Sequence, residues 1–234
     1  MKIKNLSFYI GYDSKEDIAY RVCKNSLTNS SSISLNIQSL KLYELVSKKI
    51  YTRNIDPLAS TEFTYSRFLV PALMNYKGWA IFCDCDFLFF QDISLLFESI
   101  DEDKALYCVQ HDYTPKERHK MDGKKQTLYP RKNWSSFMVF NCSHPSNKKL
   151  TIDTVNSESG SFLHQLKWLE DREIGSIDER WNWLEGWTSK NNNKKPYAVH
   201  FTRGGPWFDE WKDVEFSKEW HSEKEKYLNK KFNS

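Results

Sequence analysis

One stretch near the middle of the chain limits the fold more than any other. Residues 79–90 read Trp79-Ala80-Ile81-Phe82-Cys83-Asp84-Cys85-Asp86-Phe87-Leu88-Phe89-Phe90. The unbroken apolar run over 79–83 predicts a strand buried on both faces, which belongs to a sheet covered by helices. Two ionised acids at the end of such a strand are costly unless a cation or a hydrogen-bond network compensates them. In extended chain, positions i and i+2 point to the same side, so Asp84 and Asp86 aim their oxygens at one point. Hard oxygen ligands in that arrangement suit a divalent cation, and a cation held there can take a phosphate-bearing ligand.

A second feature lies late in the chain, at Tyr197-Ala198-Val199-His200-Phe201-Thr202-Arg203-Gly204-Gly205-Pro206-Trp207-Phe208. A histidine ending a strand and followed by Gly-Gly combines a nitrogen ligand with backbone able to approach a phosphate. Alone, His200 reads as a histidine satisfied by its surroundings. Beside two acids it completes an O,O,N set that suits Mn²⁺ and accepts Mg²⁺.

The rest of the chain alternates strands and helices. Leu6–Ile10 predicts a first strand, stopped at Gly11-Tyr12-Asp13-Ser14, where Asp13 or Ser14 caps a helix from Lys15 to about Leu27. Further strands are expected over 33–37, 105–109, 137–140 and 197–201, with helices over 40–48, 62–76 and 162–169. Pro71 inside the 62–76 segment predicts a kink. The basic stretch from Tyr113 to Asn133 reads as a loop crossing the site, and 209–234 as an amphipathic closing helix. The alternation favours an α/β domain with a mostly parallel central sheet and ligand chemistry at the strand carboxyl ends. At 234 residues, a single domain spanning 1–234 is expected.

Composition narrows the function classes. With 34 basic and 31 acidic residues the charge is too even for a nucleic-acid footprint. Five cysteines, with no Cys-x-x-Cys pair, predict reduced thiols and a cytoplasmic setting, and argue against a structural zinc at Cys83 and Cys85. Neither a signal peptide nor a membrane-spanning segment is expected.

Together these motifs resemble the GT-A glycosyltransferases, and within them the family-8-like enzymes related to glycogenin and the bacterial lipooligosaccharide galactosyltransferases. Four matches carry the resemblance, in order along the chain. Gly11-Tyr12-Asp13 is similar to the family's nucleoside-binding turn. Tyr65-Ser66-Arg67-Phe68 resembles its Tyr-Ala-Arg-Leu helix, with Arg67 at 84 − 67 = 17 positions before Asp84. Asp84-Cys85-Asp86 resembles its metal motif, and His200 to Trp207 its His…Gly…Pro-Trp segment.

The resemblance implies Mn²⁺- or Mg²⁺-dependent transfer from a nucleoside-diphosphate sugar, with UDP-sugars favoured, to a glycan or glycolipid acceptor, and with retention at the anomeric carbon. It implies Asp84, Asp86 and His200 as metal ligands. Gly11, Tyr12, Asp13, Arg67, Arg203, Gly204, Gly205 and Trp207 become donor contacts.

The chain departs from that family pattern in three places. Gly205 stands where the family often has a lysine, Trp134-Ser135-Ser136 replaces an Asn-x-Gly strand, and Glu158 to Gln165 replaces a helix opened by Asp-Gln. Arg180-Trp181-Asn182-Trp183 does resemble the strand that follows.

Candidates for the catalytic half are Asp112, beside His111, and Gln165, beside His164. A solvated loop acid and a helix-surface amide are the competing readings. Lys132, Asn133 and Trp134 divide between rim contacts and packing. Two other functions compete with the transferase: a HAD-like phosphotransferase, using the two acids as nucleophile and acid, and a non-catalytic cation-dependent carbohydrate-binding protein.

Overall fold

A computed structural model describes residues 5–57, 59–112, 130–188 and 194–232. The first strand, β1 (Asn5–Gly11), ends at a glycine whose added Cβ would lie 2.5 Å from the Phe63 ring. Asp13 then caps a 3-10 turn by accepting the Lys15 amide, and α1 (Asp17–Ser30) follows. Next come β2 (Ser34–Leu40) and the short α2 (Leu42–Ser47).

The helix expected over 62–76 is broken up. Ser66–Leu69 forms a 3-10 turn, α3 covers only Val70–Leu73, and Pro71 sits in the first turn of that helix instead of kinking a longer one. Proline is tolerated there because the first-turn amides have no partner within the helix. Asn75 and Tyr76, both at positive φ, end the segment.

After β3 (Trp79–Cys83) the chain turns through the two acids into β4 (Phe87–Phe89). The strand β5 (Leu106–Cys108) precedes β6 (Phe137–Asn141). Two short helices, α4 (Ile152–Ser157) and α5 (Gly160–His164), lead to β7 (Ile174–Ser176), β8 (Trp183–Leu184) and β9 (Ala198–His200). The helix expected over 162–169 is therefore shorter and earlier, ending beside Leu166 at φ 55°. The last helix, α6 (Ser217–Phe232), is preceded by a 3-10 turn at Asp209–Trp211. Of the loop expected over 113–133, residues 113–129 lie outside the described residues.

Six strands form the central sheet in the order β2-β1-β3-β6-β5-β7, and β4-β9-β8 form a smaller one. In the larger sheet only β6 runs against its neighbours, so the sheet is mostly parallel, as the alternation predicts. Phe82, Ile81 and Ala80 of β3 are fully buried in the main core, together with Phe8, Phe68 and Phe140. A second cluster joins Val22 of α1, Leu88 of β4, Val199 of β9 and Trp220 of α6. Truncating a core aromatic such as Phe82 to alanine would cost about 3–5 kcal/mol. Among the described residues no helix is long and apolar enough to cross a membrane.

Candidate functional site

The two acids occupy the turn between the two sheets. β3 carries the chain up the larger sheet to Cys83, and β4 begins the smaller sheet at Phe87. Asp84 and Asp86 are thus in a turn and not in extended strand, which corrects the simple i, i+2 argument. The side-by-side placement survives because backbone bonds to both sheets fix the turn. Asp84 N–H donates to Ser136 O at 3.0 Å, and Phe201 N–H donates to Asp86 O at 3.0 Å. Cys85, between them, is buried in the core.

Ladder register brings in the histidine. His200 pairs with Phe87 across the antiparallel β4-β9 contact, and the two rings stack with centroids 4.5 Å apart. A residue 200 − 86 = 114 positions later in sequence is thereby placed beside Asp86. One ligand atom from each of Asp84, Asp86 and His200 lies within 4.8 Å of the other two.

The donor atoms fit a cation. Asp84 Oδ1 lies 2.8 Å from Arg67 Nη1, and Asp86 Oδ1 lies 3.3 Å from His200 Nε2. Neither oxygen has an aligned hydrogen-bond partner among the described residues, although both are buried. Arg67 compensates the Asp84 oxygen in part, and two buried acids together remain costly without a further positive charge. Two oxygens and one imidazole nitrogen match the preferences of Mn²⁺ and Mg²⁺. The neighbouring thiols do not join the set, because burial raises Cys83 and Cys85 well above the ordinary thiol range.

Charge in the site is strongly perturbed. Burial pushes the Asp84 carboxyl up to about 7, against the pull of Arg67. For His200, burial favours the neutral ring, but Asp86 outweighs it and raises the imidazole overall. A further acid, unforeseen from the sequence, belongs here. Glu16, at the entry to α1, is pushed up to about 8 by burial and by the fields of Asp86, Asp13 and Asp84, while the Trp207 indole offsets part of the rise.

Arg67 sits deep in the site. It donates to Ser135 O at 2.9 Å, pairs with Asp84 and lies against the Phe63 and Phe82 rings, 5.1 Å from each centroid. Asp13 uses both carboxylate oxygens locally, accepting from Lys15 N–H and from Glu62 N–H at 3.1 Å. Tyr12 donates to Asp17 and stands beside Lys41.

The late segment differs from an open phosphate cradle. Arg203 grips both oxygens of the buried Glu185, at 2.8 and 3.1 Å. The space a side chain would need at Gly205 is filled by the Trp207 indole, 2.0 Å from the would-be Cβ. Gly204, at φ 121°, adopts backbone that only glycine enters readily.

The catalytic candidates are placed less centrally. Asp112 is exposed at the edge of the described residues. Gln165 caps α5, where its side-chain amide donates to Ser161 Oγ at 3.0 Å and its backbone carbonyl accepts from Arg131. His164 reaches Ser135 Oγ at 2.9 Å. Trp134 donates to the His111 carbonyl, and burial holds the His111 ring neutral down to about 4. Lys132 is buried and Asn133, at φ 65°, is half-buried.

Sequence reasoning also missed Asn182. It is fully buried, faces His200 Nδ1 through Oδ1 at 3.0 Å and donates to Ser136 Oγ at 2.9 Å.

No protein-family model matches the sequence. Protein CDI of Arabidopsis thaliana is 53% identical over 227 residues, covering 96% of this chain and 88% of that protein. The chain belongs to the protein CDI family.

Solved structures similar to this CDI-family chain are glycosyltransferases. The bifunctional glycosyltransferase WbbM matches with a TM-score of 0.68 at 13% identity, over 96% of this chain and 50% of WbbM. GlyE of Streptococcus pneumoniae matches at 0.61 and 14% identity, over 99% of this chain and 64% of GlyE. The CDI-family chain thus spans half of the one and under two thirds of the other. The galactosyltransferase LgtC, bound to donor and acceptor sugar analogues, matches at 0.57 and 11% identity, over 94% of this chain and 96% of LgtC. The fold is the GT-A glycosyltransferase fold, as the four motifs imply.

Proposed function

We propose that this protein is a cation-dependent glycosyltransferase that moves a sugar from a nucleoside diphosphate, UDP being favoured, to a glycan or glycolipid acceptor. One observation carries the reading: on a GT-A fold, two buried carboxylate oxygens without aligned partners converge with a histidine nitrogen at the end of a central strand. Asp84, Asp86 and His200 would hold Mn²⁺ or Mg²⁺. The cation, when bound, supplies a Lewis acid that neutralises charge on the departing diphosphate.

The chain's own residues prepare that site. Arg67 keeps the Asp84 carboxylate oriented and partly offsets its burial. The β4-β9 ladder holds His200 against Asp86. Gly204 and Trp207 shape the backbone beside them, and Glu16 adds a fourth acid whose proton is retained near neutrality. Gly11, Tyr12 and Asp13 at the end of β1 are assigned to the nucleoside side. Asp112 and Gln165 remain assigned to the sugar side by their chemistry and their place in the chain, and the family resemblance favours retention of configuration.

In a HAD-like phosphotransferase one acid must be free to attack, whereas here Asp84 is tied to Arg67 and the fold is GT-A, so that reading is not favoured. A non-catalytic carbohydrate binder would use the same cation without turnover. We further take the protein as one transferase domain acting in the cytoplasm, a location supported by five cysteines that are all free and buried.

The test is a panel of nucleotide sugars with and without Mn²⁺, read as thermal stabilisation and then as nucleotide release. Ligand at a hundred times its dissociation constant adds about 2.7 kcal/mol to stability. Slow release of UDP from one UDP-sugar, dependent on Mn²⁺, is the expected result. Stabilisation without any release would favour the carbohydrate binder, and no response to any donor would end the proposal.

A further inference from the structure

We propose that Asn182 is a positioning residue that fixes the tautomer of His200, so that its Nε2 lone pair faces Asp86 and a bound cation. The inference rests on the reading of His200 as a cation ligand and adds a cause for its ligating form.

The relay of hydrogen bonds that reaches His200 admits one set of directions. It starts at the Asn133 carbonyl, which can only accept. Ser136 Oγ lies 2.7 Å from that oxygen and spends its proton there. A hydroxyl that has given its proton to one neighbour must accept from the next. The next is the Asn182 amide, 2.9 Å away, which also lies 3.3 Å from the same Asn133 carbonyl. Both contacts demand the nitrogen side of that amide, so the orientation of Asn182 is set by chemistry and not by choice. Its oxygen then faces His200 Nδ1 at 3.0 Å. An amide oxygen cannot donate, so Nδ1 carries the proton. In the neutral ring Nε2 is therefore bare.

Nε2 is also the atom that lies 3.3 Å from Asp86 Oδ1. In the neutral ring a lone pair and a carboxylate oxygen face each other there, an arrangement that a proton or a bound cation resolves. The relay is sheltered: Asn182 and His200 are buried, as are Ser135 and Ser136. Its members come from different parts of the fold. Asn133 and Ser136 lead into β6, Asn182 leads into β8, and His200 ends β9. Metal-ligating histidines commonly hold their other nitrogen in this way, and loss of the partner weakens metal binding about 10–100-fold.

The deciding measurement is nitrogen NMR of ¹⁵N-histidine-labelled protein in mildly alkaline solution, metal-free and with Mg²⁺. The His200 signals are assigned by their loss in His200→Gln. The expected result is a proton on Nδ1 and an unprotonated Nε2 in both states. A neutral ring protonated on Nε2 in the wild-type protein would overturn the inference, whatever the variants do.

Two variants add a second arm, with Mn²⁺ alone as probe and free Mn²⁺ counted by electron paramagnetic resonance. Asn182→Leu should release the tautomer preference and weaken Mn²⁺ by about 10–100-fold. Asn182→Asp keeps an acceptor against Nδ1, so it should retain the Nδ1–H form and bind Mn²⁺ no more weakly than wild type. An Asn182→Leu protein with unchanged tautomer and unchanged Mn²⁺ affinity would also overturn the inference. If wild-type protein binds no Mn²⁺, the proposed function fails instead, and the metal-free tautomer still decides the role of Asn182.

Discussion

Arg67 and Asp84 form an ion pair at 2.8 Å in which neither side chain is more than 14% exposed. The pair ties the turn at the end of β3 to the 3-10 segment before α3, and Ser135 O takes a second bond from the same guanidinium nitrogen. Removing one partner of such a pair leaves the other charge buried and uncompensated. Arg67→Met is therefore expected to destabilise the metal-free protein by about 3–5 kcal/mol. Added Mn²⁺ should recover part of that loss, because Asp84 regains a positive neighbour. Urea denaturation with and without Mn²⁺ checks this, and a variant as stable as wild type would show that the pair contributes nothing.

For Asp84→Asn and Asp86→Asn, sugar transfer is expected to fall at least about 10²-fold, the scale of losing one group that stabilises transition-state charge. Asp86→Asn should leave the folded state intact, since it removes one member of a crowded acidic cluster, whereas Asp84→Asn leaves Arg67 buried without its partner and should melt earlier. Transfer rates at saturating donor, with thermal melts alongside, give both readouts. Near wild-type turnover in either variant would remove that acid from the cation site.

Stability of the metal-free protein should depend on pH through Glu16. Its carboxyl sits at about 8 in the folded chain against an ordinary 4.5, so the folded state holds the proton more tightly. That contribution is fully present below about pH 4.5 and is lost as pH rises through about 8. Glu16→Gln should match wild type at pH 5 and exceed it at pH 8.5, where ionised Glu16 faces Asp13, Asp84 and Asp86. Melting curves in chelator at several pH values test the trend. A difference that stays flat across that range would contradict it.

Gly205→Ala should cost about 1–3 kcal/mol, the range for overpacking, because its new methyl meets the Trp207 indole. The origin would be the displaced ring and not a blocked phosphate. Denaturant midpoints for Gly205→Ala decide the point, and a change of less than about 0.5 kcal/mol would mean that the ring moves freely, as at an ordinary surface position.

How much of this was legible in the sequence depends on the range of the forces involved. The five apolar residues of β3 announce a buried strand by themselves, and the two acids announce a compensated charge. The 62–76 segment misleads because its apolar spacing fits a helix, while Pro71 and the positive φ of Asn75 and Tyr76 divide it. His200 joins the acids through the register of β4 on β9, which no local pattern encodes; the chemistry of an O,O,N ligand set and the family resemblance anticipated the grouping, but not the ladder that makes it. Glu16 and Asn182 were invisible for the same reason. Their roles arise from neighbours that folding brings in from elsewhere, Asp84 and Asp86 for the one and Ser136 and His200 for the other.

The turn from β3 to β4 has a mechanical consequence. It is a seam: Asp84 is bonded to the larger sheet through Ser136, while Asp86 is bonded to the smaller one through Phe201. Whatever occupies the space between their oxygens is gripped from both sides and stitches the two sheets together. Local opening of the short β8-β9 edge would loosen that stitch while the six-stranded core stays intact.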